Sequence, residues 1–524
     1  MKKTDLILLF ILSLIVLSVN FVFQQDPGYM DSEYYFLGGL RLSKGDYTLP
    51  VIWNYLDGAT NLPHPLFSYW FPFASILSGV SIYLFGSTFL GSRIIFWILA
   101  AGLSSLSYYV GYSVTENRFI GVISGLLAVF SGYYLKFFTI PETFLPSIYL
   151  GTFFFLTLSK LLEKRGGSKK SFSLLGAISG ILQLSRSDGA IFFLLGLAGI
   201  IFYLRKEDRL PLSDKAKSLG FFIGAYFLIM APFFLYNYLI FGSLLPPATS
   251  KVMWIATYDD TFTYPSAQLT FSYFLNNGLP LRFDQIIEAV KMNSGSLLGV
   301  QLSIIGAPLF LLGLIKNRKI TIFRIGIIHL MLVYLLMSFV FPLAGARGGF
   351  LHASAANQII IWVLIAVGFD TFIKWGIRKR NWKLIRSRIM FGSAFIIFAI
   401  FLTVIIYQRD VIGVEINNPK WNQNYSAYSQ IESIIGKYAQ ENSDVVMINN
   451  PIGYYYETNR WSVVLPNSSP DDLLSLINDL NVKYLVLDEN LPDKFNSDHF
   501  IIIENYFNLI YQDGETLKIY EKDF

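Results

Sequence analysis

The sequence predicts an all-α, multi-pass membrane protein with a small α/β domain on the outer side at its C-terminus. Three observations predict it. The 524 residues are 53% hydrophobic and only 15% charged, where a soluble chain would carry about 25% charged residues. Apolar runs approaching the roughly 20 residues of a spanning helix recur along the chain. Beyond residue 407 that pattern stops, and short amphipathic helices and strands replace it.

The elements follow in order. "MKKTDLILLFILSLIVLSVNFVFQQ" has the charged start of a signal peptide but no small-x-small cleavage site, so it reads as an uncleaved first span with Lys2 and Lys3 inside. Further apolar runs cover 67–86, 93–113, 118–136, 143–162, 171–186, 188–205, 217–240, 297–315, 320–341, 353–374 and 389–407. The basic connectors 163–170, 205–217, 316–319 and 374–388 belong inside. Residues 171–204 therefore go out and back, with "SRSDG" (185–189) at the outer tip. Counting back, 137–142 lie outside, 114–117 inside and 87–92 outside. Both ends of 67–86 are then outside, and its Pro65, Pro72 and Trp70 suit an interfacial or re-entrant helix. About eleven spans remain, with the N-terminus cytoplasmic and the C-terminus extracytoplasmic. The long outward regions are 24–92, 241–296 and the tail, and the division is a membrane domain over 1–407 and an α/β domain over 408–524.

In the tail, "SAYSQIESIIGKYAQE" has helical spacing, and "DVVMINN" and "KYLVLDE" read as strands. Ser469, Pro470 and Asp472 form a helix start. Asp513-Gly514 marks a hairpin. Asn424 and Asn467 head glycosylation triplets.

The absence of cysteine excludes disulfides, thiolate metal sites and a Cys nucleophile. The net charge of +5 lies in inner connectors and is no nucleic-acid signal. The informative charges are outside. "DPGYMDSEYYFLGG" carries Asp31 and Glu33, close enough for one to raise the other's pKa. Glu142 opens a span, and Asp259 and Asp260 lie in the second outward region. Cations should be scarce here, yet Arg41, Lys44, Arg93, Lys136, Arg186, Lys251, Arg347 and His352 all fall outside. Arg186 stands beside Asp188 at the hairpin tip, where a plain ion pair is the simpler reading. Arg347 and His352 lie in the Gly-rich connector "AGARGGFLHASA", suited to a phosphate at the lipid interface. Carboxylates on one loop could deprotonate a hydroxyl, and cations on others could stabilise a phosphate leaving group. Tyr29, Tyr34, Tyr35, Trp53, Tyr55, Tyr69 and Trp70 offer flat surfaces for sugar rings.

With these residues in place, "MDSEYYFLGGLRLSKGDYTLP" followed by "NLPHPLFSYWFPF" resembles the C-type-fold, lipid-phosphate-sugar-dependent membrane glycosyltransferases, in particular the protein O-mannosyltransferase and aminoarabinose transferase group. Asp31, Tyr34 or Tyr35, Gly45-Asp46 and His64-Pro65-Leu66 through Trp70 occupy that group's motif positions. The resemblance spans roughly 1–240 and points to a prokaryotic subgroup. It implies inverting transfer from a polyprenyl-phosphate sugar on the outer leaflet to a protein, lipid or glycan acceptor in the cell envelope. It also implies Asp31 as base, Glu142 as the acid opening the fourth span, and Arg186 among the substrate-binding residues. Because Met30 fills the slot before Asp31, the base is Asp31 or Glu33. Tyr34, Tyr35, His64, Asp188, Lys251, Arg347 and His352 complete the substrate-binding candidates. No cofactor is fixed, although Asp31, Glu33 and Glu142 could bind a divalent cation. The competing readings are a glycolipid or polysaccharide transporter or flippase, which needs charged residues along a path and a repeat, and an envelope receptor acting through its tail.

Overall fold

The computed structural model describes every residue except 164–166, 208–209, 440, 515–516 and 524, so parts of the connectors 163–170 and 205–217 lie outside the described residues. Eight described helices are long and apolar enough to cross a membrane, including Lys3–Phe23, Phe89–Thr115, Phe144–Glu163 and Pro342–Arg380. A ninth is counted if Phe271–Gln301 and Gly306–Asn317, bent by 88°, form one span. The chain is a multi-pass membrane protein. The expected count of about eleven also includes Arg118–Val129 and Lys169–Ser185, of 12 and 17 residues. Lipid-facing side chains such as Leu8, Ile15, Leu228, Ile385 and Phe401 are exposed, as apolar helices in a bilayer require. Where helices meet, small residues let backbones touch: a Cβ on Gly368 would stand 1.7 Å from the Leu309 carbonyl.

Opposite ends of the bundle carry different chemistry. At one end Arg118 pairs with Asp5 (2.7 Å), while Asp370 accepts from Asn117 (3.2 Å) and pairs with Lys374 (2.7 Å) and Arg388 (2.5 Å). His352 stands near the other end of the span Pro342–Arg380 from Asp370, and residues 31 and 142 gather around it.

Several segments read as loops are helical. Residues 30–43 form the helix Met30–Ser43, despite Gly38 and Gly39, because those glycines admit the neighbouring helix Phe73–Phe85. The latter is the regular part of the run 67–86; its 13 residues reach only about 20 Å. The region 241–296 contains the helix Leu279–Ser296, and the apolar run after it breaks at Ser303 and Ile304, which adopt left-handed φ of 51° and 57°. The Gly-rich "connector" at 342–354 is itself mostly helical, kinked at Arg347-Gly348.

The tail folds around a six-stranded sheet in the order Val51–Ile52, Ser462–Val463, Val445–Met447, Val482–Leu487, Leu517–Lys522, Phe507–Asp513. Its last two strands are the antiparallel hairpin that Asp513-Gly514 signalled, with Glu515 and Thr516 outside the described residues. Ser469 caps the helix Pro470–Asp479, accepting from the Asp472 backbone N–H (3.2 Å). The first strand comes from the N-terminal region 24–92: Val464 N–H donates to the Ile52 carbonyl (2.8 Å). Tail and first loop thus share one sheet. Of the two glycosylation triplets, Asn424 is exposed, but Asn467 is buried and its side chain accepts from Lys494 N–H (3.1 Å). Asn467 is therefore not an open acceptor.

Candidate functional site

Helix Met30–Ser43 starts from the extended Tyr29, so Asp31 and Glu33 both stand in its first turn. Two residues apart on an α-helix means about 200° apart around its axis. The acids therefore face different neighbours.

Asp31 meets Glu142 and His352: one ligand atom from each lies within 4.8 Å of the others. Glu142 stands just before helix Phe144–Glu163 and is 1% exposed. Its Oε1 accepts from the Thr143 N–H and hydroxyl (2.5 and 2.8 Å), and its Oε2 from the Tyr29 hydroxyl. His352 Nδ1 lies 3.7 Å from Glu142 Oε1 and 3.3 Å from the Thr143 hydroxyl, with the imidazole stacked on Phe144 at 4.1 Å. Asp31 Oδ1 accepts from Trp70 Nε1 (3.0 Å). The indole is sandwiched between Tyr34 and Trp53, each ring centroid 4.3 Å away. Arg186 donates to Asp188 (3.0 Å), and its charge also acts on Asp31, Glu142 and Tyr35.

Burial raises the Asp31 carboxyl above its ordinary range, against the opposing pull of Arg186 and the Trp70 N–H. Burial and then the Asp31 charge push Glu142 up to about 7, although Tyr29 and Thr143 stabilise its anion. Tyr35, buried beside both acids, is held well above the ordinary phenol value by burial first and their charge second. Two carboxylates and an imidazole form a donor set that fits a divalent cation.

Other expected residues lie elsewhere. Glu33 points away from this cluster, so the expected cation set of Asp31, Glu33 and Glu142 is replaced by Asp31, Glu142 and His352. Glu33 is buried against the tail, accepting from Tyr425 (2.7 Å) and Asn450 (3.3 Å), and burial pushes it to about 7. His64 pairs with Asp57 (2.9 Å). Lys251 donates to the carbonyls of Ser266 and Leu269 (3.0 and 3.2 Å), tying its own loop. Arg347 is exposed and lies over the Tyr258 ring (3.3 Å). The Tyr34 hydroxyl accepts from Phe67 N–H (2.7 Å) and serves to hold the Trp70 stack. The sequence marked Tyr29 and Trp70 as surfaces for sugar rings, and Trp70 as a motif position, but not as donors to the two acids; Thr143 carried no signal beyond standing next to Glu142.

No protein-family model and no curated protein sequence matches this chain. Solved structures do. An archaeal oligosaccharyltransferase, AglB from Archaeoglobus fulgidus, in complex with an inhibitory peptide and a dolichol-phosphate, is similar at 15% identity with a TM-score of 0.58, over 93% of this chain and 69% of that one. The Archaeoglobus fulgidus oligosaccharyltransferase in complex with Zn and sulfate is similar at 13% identity and TM-score 0.56, over 99% and 73%. ArnT from Cupriavidus metallidurans bound to undecaprenyl phosphate is similar at 12% identity and TM-score 0.50, over 99% and 98%. The chain shares the fold of these membrane transferases.

Proposed function

We propose that this protein is an integral-membrane glycosyltransferase that moves a sugar from a polyprenyl-phosphate donor to an acceptor at the outer membrane face, with inversion. The observation that carries the reading is the convergence of Asp31, Glu142 and His352 beside Arg186, at the end of the bundle away from the Asp5–Arg118 and Asp370 ion pairs. The polyprenyl phosphates bound to two fold relatives support the donor class. The charge pattern, with Lys2, Lys3 and 374–388 on one side, supports a cytoplasmic N-terminus and an extracytoplasmic tail.

Asp31 is the base. Glu33 is committed to the tail and has no such access. Asp31 takes the proton from the acceptor as the acceptor atom bonds to the anomeric carbon. The carbon–oxygen bond to phosphate breaks on the opposite face, and the polyprenyl phosphate leaves with the electron pair. Arg186 offers positive charge to the departing phosphate. A carboxylate has about four lone-pair sites, so Asp31 can keep the Trp70 bond while receiving a proton. Asp31, Glu142 and His352 would hold a divalent cation, which supplies Lewis-acid charge to phosphate oxygens. Tyr29 and Thr143 fix Glu142, and Phe144 fixes the His352 ring.

The test measures release of undecaprenyl or dolichyl phosphate from their hexose-linked forms by the purified protein. Asp31→Asn is expected to lose about 10²–10⁴-fold in rate. A variant as fast as the wild type removes Asp31 from the chemistry.

A further inference from the structure

The tail does not merely adjoin the catalytic segment; it holds it on several sides. Gln25 and Asp26 N–H groups both donate to Asn422 Oδ1 (3.1 and 3.3 Å). Trp421 Nε1 donates to the Asp26 carbonyl (2.9 Å), and Tyr456 donates to the Asp26 carboxylate (3.0 Å). Gly28 has φ +86°, and the Trp421 ring fills the space where a Cβ would stand, 2.1 Å from the nearest ring atom. The Tyr425 hydroxyl bridges the two ends of the stretch: it accepts from Gly28 N–H and donates to Glu33 Oε1, both at 2.7 Å. Asn450, the residue that caps helix Pro451–Thr458, donates to Glu33 Oε2 (3.3 Å). A Cβ on Gly453 would lie 2.8 Å from Glu33 Oε1, so the carboxylate is seated against the start of that helix.

We infer that the C-terminal domain is a positioning element of the catalytic centre, and that Glu33, Tyr425 and Asn450 are the positioning residues through which it sets Asp31. The physical reason is helical geometry. Asp31 and Glu33 share one turn of a rigid helix, so rotating that turn by the amount that frees Glu33 also swings Asp31 off Glu142 and His352. Among the described contacts, both Glu33 carboxylate oxygens accept from tail donors. A misplacement of about 1 Å at a reacting group costs on the order of 10²-fold in rate. The inference rests on the reading of Asp31 as the base.

An exchange of amide and carboxylate across the contact tests it. Asn450→Asp places a carboxylate against the Glu33 carboxylate and is expected to lower kcat at least about tenfold, with donor KM within about twofold. Adding Glu33→Gln lets the amide introduced at 33 donate to the carboxylate introduced at 450 while still accepting from Tyr425. The double variant is expected to recover kcat to within about threefold of the wild type. Tyr425→Phe should lower kcat without moving KM, and should speed amide hydrogen exchange over 26–43. A double variant as inactive as Glu33→Gln alone makes Glu33 a reacting group and overturns the inference. So does Asn450→Asp or Tyr425→Phe at wild-type kcat and wild-type exchange. Asp31→Asn, run alongside, separates the two failures: full activity there removes the base assignment, whereas an inactive Asp31→Asn with silent tail variants removes only the clasp.

Discussion

Replacing Trp70 by Phe separates electrostatic support of Asp31, the proposed base, from binding of the sugar. The indole N–H donates to Asp31 Oδ1 at 3.0 Å. The change to Phe removes that donor but keeps an aromatic ring between Tyr34 and Trp53. A hydrogen bond to an ionised group contributes about 1.5–3 kcal/mol, and about 1.4 kcal/mol corresponds to one pKa unit. The bond stabilises the anion, so its loss raises the Asp31 pKa further, by about one to two units. The acid limb of kcat/KM, which reports the free enzyme, should move to higher pH by that amount. The plateau above it should hold or rise, because the carboxylate is then the stronger base. The assay is initial-rate polyprenyl phosphate release across pH at varied donor concentration. An unmoved acid limb with a raised donor KM would show that Trp70 only stacks on the sugar, and the proposed support of Asp31 would be wrong.

Two further outcomes follow from burial and charge. The raised pKa of Glu33, about 7 through burial, means the fold favours its protonated form. The associated stability is complete below the ordinary carboxylate range and is lost as pH rises through about 7, amounting to about 3 kcal/mol at most. Thermal unfolding followed by tryptophan fluorescence should show the midpoint falling from about pH 5 to 8, with Glu33→Gln flattening the slope; equal slopes refute it. The cysteine-free chain also permits topology labelling: an exposed Ser87→Cys should react from outside, and an exposed Ser168→Cys only after permeabilisation. Labelling of Ser87→Cys from the inside alone would mean that 67–86 spans.

What could be read before the fold was known depended on the range of the interaction involved. Membrane character, the tail's hairpin and its Ser469 cap are local properties of composition and turn chemistry, and the sequence displays them. The choice between Asp31 and Glu33 was not legible, because "MDSEYYFLGG" resembles a loop. Its helix depends on Gly38 and Gly39 packing against Ser75, Ser78 and Gly79, a contact that propensity does not encode. Once the segment is helical, their two-residue spacing sends the two acids to different neighbours. His352 joins Glu142 across 210 positions through a kink at a glycine-rich stretch, which read as a connector. The cations expected outside were a better guide to unusual structure than to chemistry. Arg93 is spent on the carbonyls of Thr139 (2.8 Å) and Gln24 (2.5 Å), and Lys136 on Asp410 (2.6 Å). Arg41 is spent on Asp46 (2.7 Å).

That leaves Arg186 to face the acids, and the charge balance then constrains the chemistry. Asp31, Glu142 and Asp188 surround one guanidinium and one imidazole. The cluster therefore carries about two net negative charges when all three acids are ionised, or about one with His352 protonated. A phosphate donor brings more negative charge to the same place. Protons could offset it, since Glu142 titrates near 7 and Asp31 is also raised, but a protonated Asp31 is no base. Above that range a divalent cation on the proposed donor set Asp31, Glu142 and His352 would offset the charge. Chelation should therefore abolish transfer at about pH 8, and Mn²⁺ or Mg²⁺ should restore it. Glu142→Gln, which removes a proposed ligand, should raise the cation concentration at half-maximal rate by at least about tenfold. Undiminished transfer in excess chelator would mean that Arg186 alone carries the phosphate, and the three-residue donor set would lose its assigned role.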